Sequence, residues 1–434
     1  MNSKLSASLF LGVSLTVLSP AADWPQYRGP NHDGGSPEKV LQSWPANGPR
    51  TVWKVPTPGG FSVFSVAGGR AFTLVAREIE GTRREVLLAL DANTGKELWA
   101  APLGEAKYDG GGDSGADGNQ GGDGPRSTPT SNGRQVFVLD ARLKLTSFDA
   151  ATGQPGWSKD LVKDVGAKNI QWQNAASPVL DNNRLFVCSG AEGGSLIAFN
   201  PADGAILWKG ENDAMTHATP VVADILGVRQ VVFFTQAGLV SADVATGKVL
   251  WRFPFQFRVS TAASPVVAGD IVYCSAGYDV GSGAARISKD GDAFKATELW
   301  KLTGSAATKA RLLNHWSTPV AKDGYLYGMF GFKDYTKGAL KCVELATGKE
   351  VWSQADFGPG GVILAGGSLV ALSDRGEVVL IDPQPAAYKE LARTKAIEGK
   401  CWNNPSLSGG RLFVRGTKEG ACLDVAPAPA SAGR

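Results

Sequence analysis

Only three of the 434 residues are histidines, so few side chains can exchange protons near neutral pH. Two of the three fall at matched places. His217 stands three residues before Pro220, in HATP, and His315 immediately precedes Trp316, which stands three before Pro319, in WSTP. The same offset before a Pro picks out Arg126, Ala175, Ala262 and Trp402, and alignment on the following strand, which puts Phe64 and Val362 in the Pro slot, adds Phe61 and Pro359. Neighbouring positions add Trp172, Gln173, Arg258 and Asn403. Two imidazoles, three indole faces, two guanidinium groups and two amides could together hold a flat or anionic ligand. The chain has no CxxC and only three His, so a His/Cys metal cage is not expected. The same residues could instead plug the place where they meet and satisfy one another.

What brings them together is a repeat. The phrase ALDANTGKELW ends at Trp99 and recurs as SFDAATGQPGW, AFNPADGAILW, SADVATGKVLW and CVELATGKEVW, ending at Trp157, Trp208, Trp251 and Trp352. A worn copy, DGDAFKATELW, ends at Trp300. Alternating apolar residues lead to an acid, a Gly then supplies positive φ for a tight turn, and a second strand carries the Trp. The acidic or amide position appears eight times: Asp91, Asp149, Asn200, Asp243, Asp292, Glu344, Asp382 and Asp424, 38 to 58 residues apart. That period predicts an all-β fold, an eight-bladed β-propeller of four-stranded antiparallel blades. Each blade begins on its Ser/Thr-Pro strand, as in RSTPT, ASPVL, ATPVV, ASPVV and STPVA. Thr51 to Val55 carries a Trp without a hairpin, and ACLDV at 421–425 carries the acid without a Trp. An N-terminal strand is therefore expected to close the last blade. The seventh copy lacks the Trp, so its outer edge should be the least regular. In a ring, equal offsets place side chains at one height around the axis, so the residues named above should share one channel mouth.

The propeller is expected to fill residues 23–425. Before it, Lys4 and the apolar run Leu5–Leu18 read as a signal peptide over 1–22, too short to span a bilayer. Residues 426–434 read as a disordered tail. The Gly/Asp-rich loop 104–124 holds Asp109, Asp113, Asp117 and Asp123, but its spacing fits no EF-hand, and no metal is expected. A net charge of +3 without a basic run argues against nucleic acid. Five widely spaced Cys read as buried thiols.

Hairpin phrase and Ser/Thr-Pro strand together resemble the quinoprotein-type repeat, found in pyrroloquinoline-quinone (PQQ) dehydrogenases and in BamB, the propeller of the outer-membrane assembly machinery. WPQYRGPN at Trp24–Asn31, GGDGPRSTP at Gly121–Pro129 and CWNNP at Cys401–Pro405 are similar to exported PQQ-binding-like propellers of planctomycete-type bacteria. The resemblance implies an exported, periplasmic or secreted scaffold that binds envelope proteins or an extracellular polymer, with no membrane span, expected as a monomer. The alternative it implies is a PQQ-dependent oxidoreductase using PQQ with calcium. Against that stand the absence of adjacent Cys and of large inserted loops. Against a BamB-type lipid anchor stands the absence of Cys before Cys188. No other cofactor is expected.

Overall fold

The computed structural model describes residues 23–108, 124–259, 261–331, 334 and 336–427. Eight sheets follow one another in chain order, seven of four strands and one of five. Among the described residues two short helices, Leu161–Val165 and Gly304–Ala310, interrupt the strands. This is the eight-bladed propeller the period predicts. All five Cys are buried free thiols. The expected leader, the acids Asp109, Asp113, Asp117 and Asp123, and most of the tail lie outside the described residues.

The repeated Trp and Gly lock one blade to the next. Trp99 Nε1 donates to the carbonyl of Ala150 in blade 2 at 3.2 Å, and a Cβ on Gly153 would come within 2.5 Å of the Trp99 ring. Gly153 is thus required twice, for a turn that needs φ of 72° and for the indole lying against it. Trp157, Trp208, Trp300 and Trp352 repeat the donation, to Pro201, Val244, Leu345 and Gln384. Trp251 does not. Its Nε1 turns back to Gln230 Oε1 in its own blade at 2.8 Å. The reason lies in blade 5, where the hairpin is lengthened to Gly281–Asp290 and Ala293–Thr303. By register the acid position there belongs to Arg286, and Asp292 sits at the hairpin tip. The register therefore corrects the expectation that Asp292 is a copy of Asp91. The intact acids do cap their turns: Asp91 Oδ1 accepts from Asn93 N, Thr94 N and Thr94 Oγ1 at 3.0, 2.8 and 2.9 Å.

Blade 8 closes as the two half-phrases require. Arg50–Pro56 pairs antiparallel with Glu419–Asp424, and Trp53 reaches Ala92 of blade 1 through Nε1 at 2.9 Å. Behind this seam lies Arg415, with no exposed surface. Its guanidinium is held by neutral oxygens. It donates to Thr73 Oγ1 at 2.9 Å and to the carbonyls of Thr57, Gly59 and Gly60 at 3.3, 2.6 and 3.2 Å. Blade 7 corrects another expectation. Its outer strand Glu390–Lys395 pairs along its whole length with the same single irregularity as its neighbours. Ala392 takes the register of the missing Trp, and Gly48 of the N-terminal lead packs against Thr394 beside it.

The lead is a structural element in its own right. Trp24 pairs with Val66 of blade 1, and Pro25 accepts from Ser131 N of blade 2 at 2.8 Å. Gln26 bonds Leu180 of blade 3 on both backbone sides. Arg28 donates to Thr318 and Pro319 of blade 6 at 3.2 and 3.0 Å. Gly35–Ser36 adds a fifth, parallel strand to the inner edge of blade 7. Glu38 then accepts from Gly410 N of blade 8 at 2.7 Å. The segment crosses from blade to blade against inner strands and stoppers one end of the channel.

Candidate functional site

At the other end the loops before the inner strands converge. Four of the five Ser/Thr-Pro hydroxyls, all but that of Ser264, have a use that sequence reasoning missed. Val63 N donates to Thr128 Oγ1 at 3.0 Å, Thr128 N to Ser177 Oγ at 2.8 Å, and Ser177 N to Thr219 Oγ1 at 3.0 Å. Ser264 N donates likewise to Thr318 Oγ1 at 2.9 Å. Each hydroxyl satisfies a buried amide of the neighbouring blade, so the inner loops are fixed at one height.

That belt carries the offset residues. Phe61, Arg126, Ala175, His217, Ala262, Trp316 and Trp402 line a single cavity of about 70 Å³, with Ser177, Thr219 and Asn403. Tyr27 of the lead also faces it, a residue nothing in the repeat could flag. Pro359 falls outside, in a smaller pocket between blades 6 and 7 that His315 and Trp316 share.

Rings run on from the cavity in an arc. Phe61 stacks on Trp402 at 5.0 Å, and Trp402 on Trp316 at 4.9 Å with 6° between planes. Trp316 meets His315 at 4.9 Å, His315 meets Tyr278 edge-on at 5.1 Å, and Tyr278 stacks on Trp172 at 6.0 Å. Lys400 holds its ammonium 5.1 Å from the Trp402 ring. Sequence reasoning also missed Tyr278. It is reached through left-handed backbone at Tyr278 and Asp279, φ 54° and 60°. Trp172 and Gln173 are held the same way, φ 68° and 65°, and contribute through their carbonyls. Arg126 donates to Trp172 O, and His217 Nε2 lies 2.7 Å from Gln173 O, which assigns it the proton on that nitrogen.

Electrostatics follow from burial. His217 is pushed down to about 3, first by desolvation and then by the charge of Arg126, so it is a neutral imidazole at physiological pH. Behind Arg126, whose guanidinium sits 5.1 Å over the Tyr108 ring, lies a buried acid. Glu85 accepts from Tyr108 OH at 2.7 Å and from Ala141 N at 3.1 Å. Desolvation, then the Asp140 carboxylate, push it up to about 7.

Arg258 is not part of this mouth. Phe255 and Phe257 are buried, and the strand-like alternation turns Gln256 and Arg258 outward. Arg258 lines a separate cleft of about 520 Å³ with Tyr278, Asp279 and Lys301. Arg258, named as a neighbour of the offset residue Ala262, lies too far back along the loop to share its height, whereas Ala262 itself lines the cavity.

Comparison with known proteins places this geometry. A family model described as "Outer membrane protein assembly factor BamB" matches residues 82–328 and 336–424. The chain belongs to this family. BamB of Shewanella oneidensis is 28% identical over 266 residues, 59% of this chain and 64% of the relative. BamB of Moranella endobia is 25% identical over 260 residues, 58% of this chain and 63% of the relative. The match thus spans less than two thirds of these curated relatives' own length. Among solved structures, BamB from Moraxella catarrhalis aligns over 86% of this chain and 97% of its own, TM-score 0.56, 14% identity. A quinohemoprotein alcohol dehydrogenase from Pseudomonas putida HK5 aligns over 94% and 82%, TM-score 0.60, 12% identity. At such identities these structures show the shared fold alone.

The dehydrogenase likeness raises PQQ, a rigid tricyclic tricarboxylate, and the mouth of this BamB-family chain does not fit it. A volume of about 70 Å³ has room for roughly five waters. Where a flat ligand would slide, Trp316 and Trp402 already stack on each other. Tyr27 closes the floor.

Proposed function

We propose that this chain is an envelope scaffold of the BamB type that holds a polypeptide partner against its aromatic mouth. The reading rests on the unbroken arc of rings from Phe61 to Trp172 at the channel end that the lead leaves open. Aromatic side chains with polar handles, set in a rim of Arg126 and Lys400, are the composition of recognition surfaces. The BamB relatives, named for outer-membrane protein assembly, support a partner within the cell envelope and export of this chain. No helix among the described residues is long and apolar enough to cross a membrane. A photo-crosslinking amino acid placed at Trp172 should label envelope polypeptides in cells, whereas one at Leu98 on the outer perimeter should not. Equal labelling from both positions would remove the mouth as the binding surface.

A further inference from the structure

The lead stoppers the end of the channel opposite the mouth, and it leaves a gap there. We propose that this gap takes an extended segment of another polypeptide, one with small side chains, held by its backbone across the inner strands of blades 5 and 6. The site is separate from the mouth, and nothing in it depends on how the mouth is read.

The lead itself shows what these inner edges accept. In blades 1, 2, 3 and 7 the residue two places after the strand-start slot turns its backbone into the channel, where the lead meets it. Val66 and Trp24 exchange two backbone bonds, at 2.7 and 2.9 Å. Ser131 N donates to Pro25 O at 2.8 Å, and Leu364 N to Gly34 O at 2.9 Å. Leu180 receives a matching pair from the side-chain amide of Gln26, at 3.0 and 3.3 Å. A peptide group, or an amide standing in for one, fills each of these places. Trp24, Pro25 and Gln26 also show the path, one residue to each successive blade.

Val267 of blade 5 and Ala321 of blade 6 stand at the same place, two residues after Pro265 and Pro319. Their register matches as well. Val267 faces Val272 and Ala268 faces Ile271 across a tight turn, just as Val66 faces Ala71 and Ala67 faces Arg70. Ala321 with Leu326 and Lys322 with Tyr325 repeat it. In that register the N–H and C=O of Val267 and Ala321 point into the channel, outside the ladder. Among the described residues no hydrogen bond of the lead reaches either one. Both are half-buried instead, and line a cavity of about 120 Å³ that continues the lead's own interface through Arg28 and Gly35. An inner edge that faces a gap in this way is where a further chain pairs.

The walls set the side chains. Val221, Ala223, Val266, Ala268, Val320 and Leu364 surround the cavity with small aliphatic groups. Its volume holds roughly ten waters, the heavy-atom count of an alanine between two peptide groups, which leaves no room for an aromatic ring. Asn31 of the lead lines the same cavity and is the rival occupant, since its amide could act as that of Gln26 does.

The test uses the full chain, amide NMR and two probes: N-acetyl-Ala-Val methylamide and the same compound N-methylated at its valine. In the free protein the amides of Val267 and Ala321 should exchange with solvent roughly tenfold or more faster than those of Val66, Leu180 and Leu364. The first probe should shift and slow both, and its N-methylated twin should bind roughly tenfold or more weakly. Val267→Pro removes only a donor that the ladder does not use, so this variant should fold and lose the probe. Slow exchange at Val267 that Asn31→Ala makes fast would place the lead's own amide there, and overturns the proposal. Equal binding of the two probes, or no shift at Val267 and Ala321, overturns it on the unmutated chain. A probe that moves the Trp316 and Trp402 indole signals instead sits in the mouth; this site is then lost while the scaffold reading stands.

Discussion

The outer rim and the channel mouth are both built from positions repeated from blade to blade, and they use repetition in opposite ways. On the rim the residue itself recurs: Trp99, Trp157, Trp208, Trp300 and Trp352 each donate to the next blade's turn. At the mouth the position recurs but the residue changes, giving Phe61, Arg126, His217, Trp316 and Trp402 around one cavity. Identical residues answer an identical packing problem between neighbouring blades. Different residues at one height answer nothing that blade packing asks, since Ala175 and Ala262 serve there as well. The mouth is therefore where specificity can be written without disturbing the ring.

If the rim holds the ring, its variants should suffer most. Trp99→Ala should cost about 3–5 kcal/mol, as expected for emptying a large aromatic from a packed seam, read as a shift in urea midpoint. Trp251→Ala should cost as much, because although its indole N–H bonds Gln230 within blade 4, the ring is buried in one cluster with Val272, Cys274 and Ile287 of blade 5. Next in size is the closure seam. Arg415→Met strands the carbonyls of Thr57, Gly59 and Gly60, and should cost roughly 3 kcal/mol or more. Proteolysis of that variant should begin at the N-terminal strand.

A smaller effect separates the two regions by pH. Glu85 sits at about 7 in the fold against 4.5 when unfolded, so the folded state binds the extra proton. Its contribution is full below about 4.5 and is lost as pH rises towards 7. Glu85→Gln should flatten that part of the stability profile. The rim has the opposite sign. Asp91 is held below its usual 3.8, chiefly by the Thr94 hydroxyl, so its contribution is present above that value and lost as pH falls. Asp91→Ala should cost about 1 kcal/mol at neutral pH and nothing extra in acid, by melting at several pH values.

The difference between the regions also explains what the sequence made legible. Blades, closure and the shared height of seven mouth residues followed from a phrase repeated with small variation. Blade 5 misled through Asp292 because both its strands grew, which moves the turn away from the capping register. The lead was opaque: Trp24, Gln26 and Arg28 bond backbone groups of different blades, and such partners leave no pattern in side-chain types. Tyr278 and the carbonyls of Trp172 and Gln173 depend on left-handed backbone at ordinary residues, which no propensity announces. Unique contacts, unlike repeated ones, are read only once the fold is in view.

Whether the rim holds the ring while the mouth holds the partner can be decided on two variants, Trp99→Ala and the double Trp316→Ala, Trp402→Ala. Each is assayed for melting temperature and for capture of envelope polypeptides. The rim variant should melt much earlier yet capture normally below its transition, while the mouth variant should melt closer to the unmutated chain and capture poorly. A mouth variant that captures normally and melts as early as the rim variant would refute this division of labour, and would make those rings a plug.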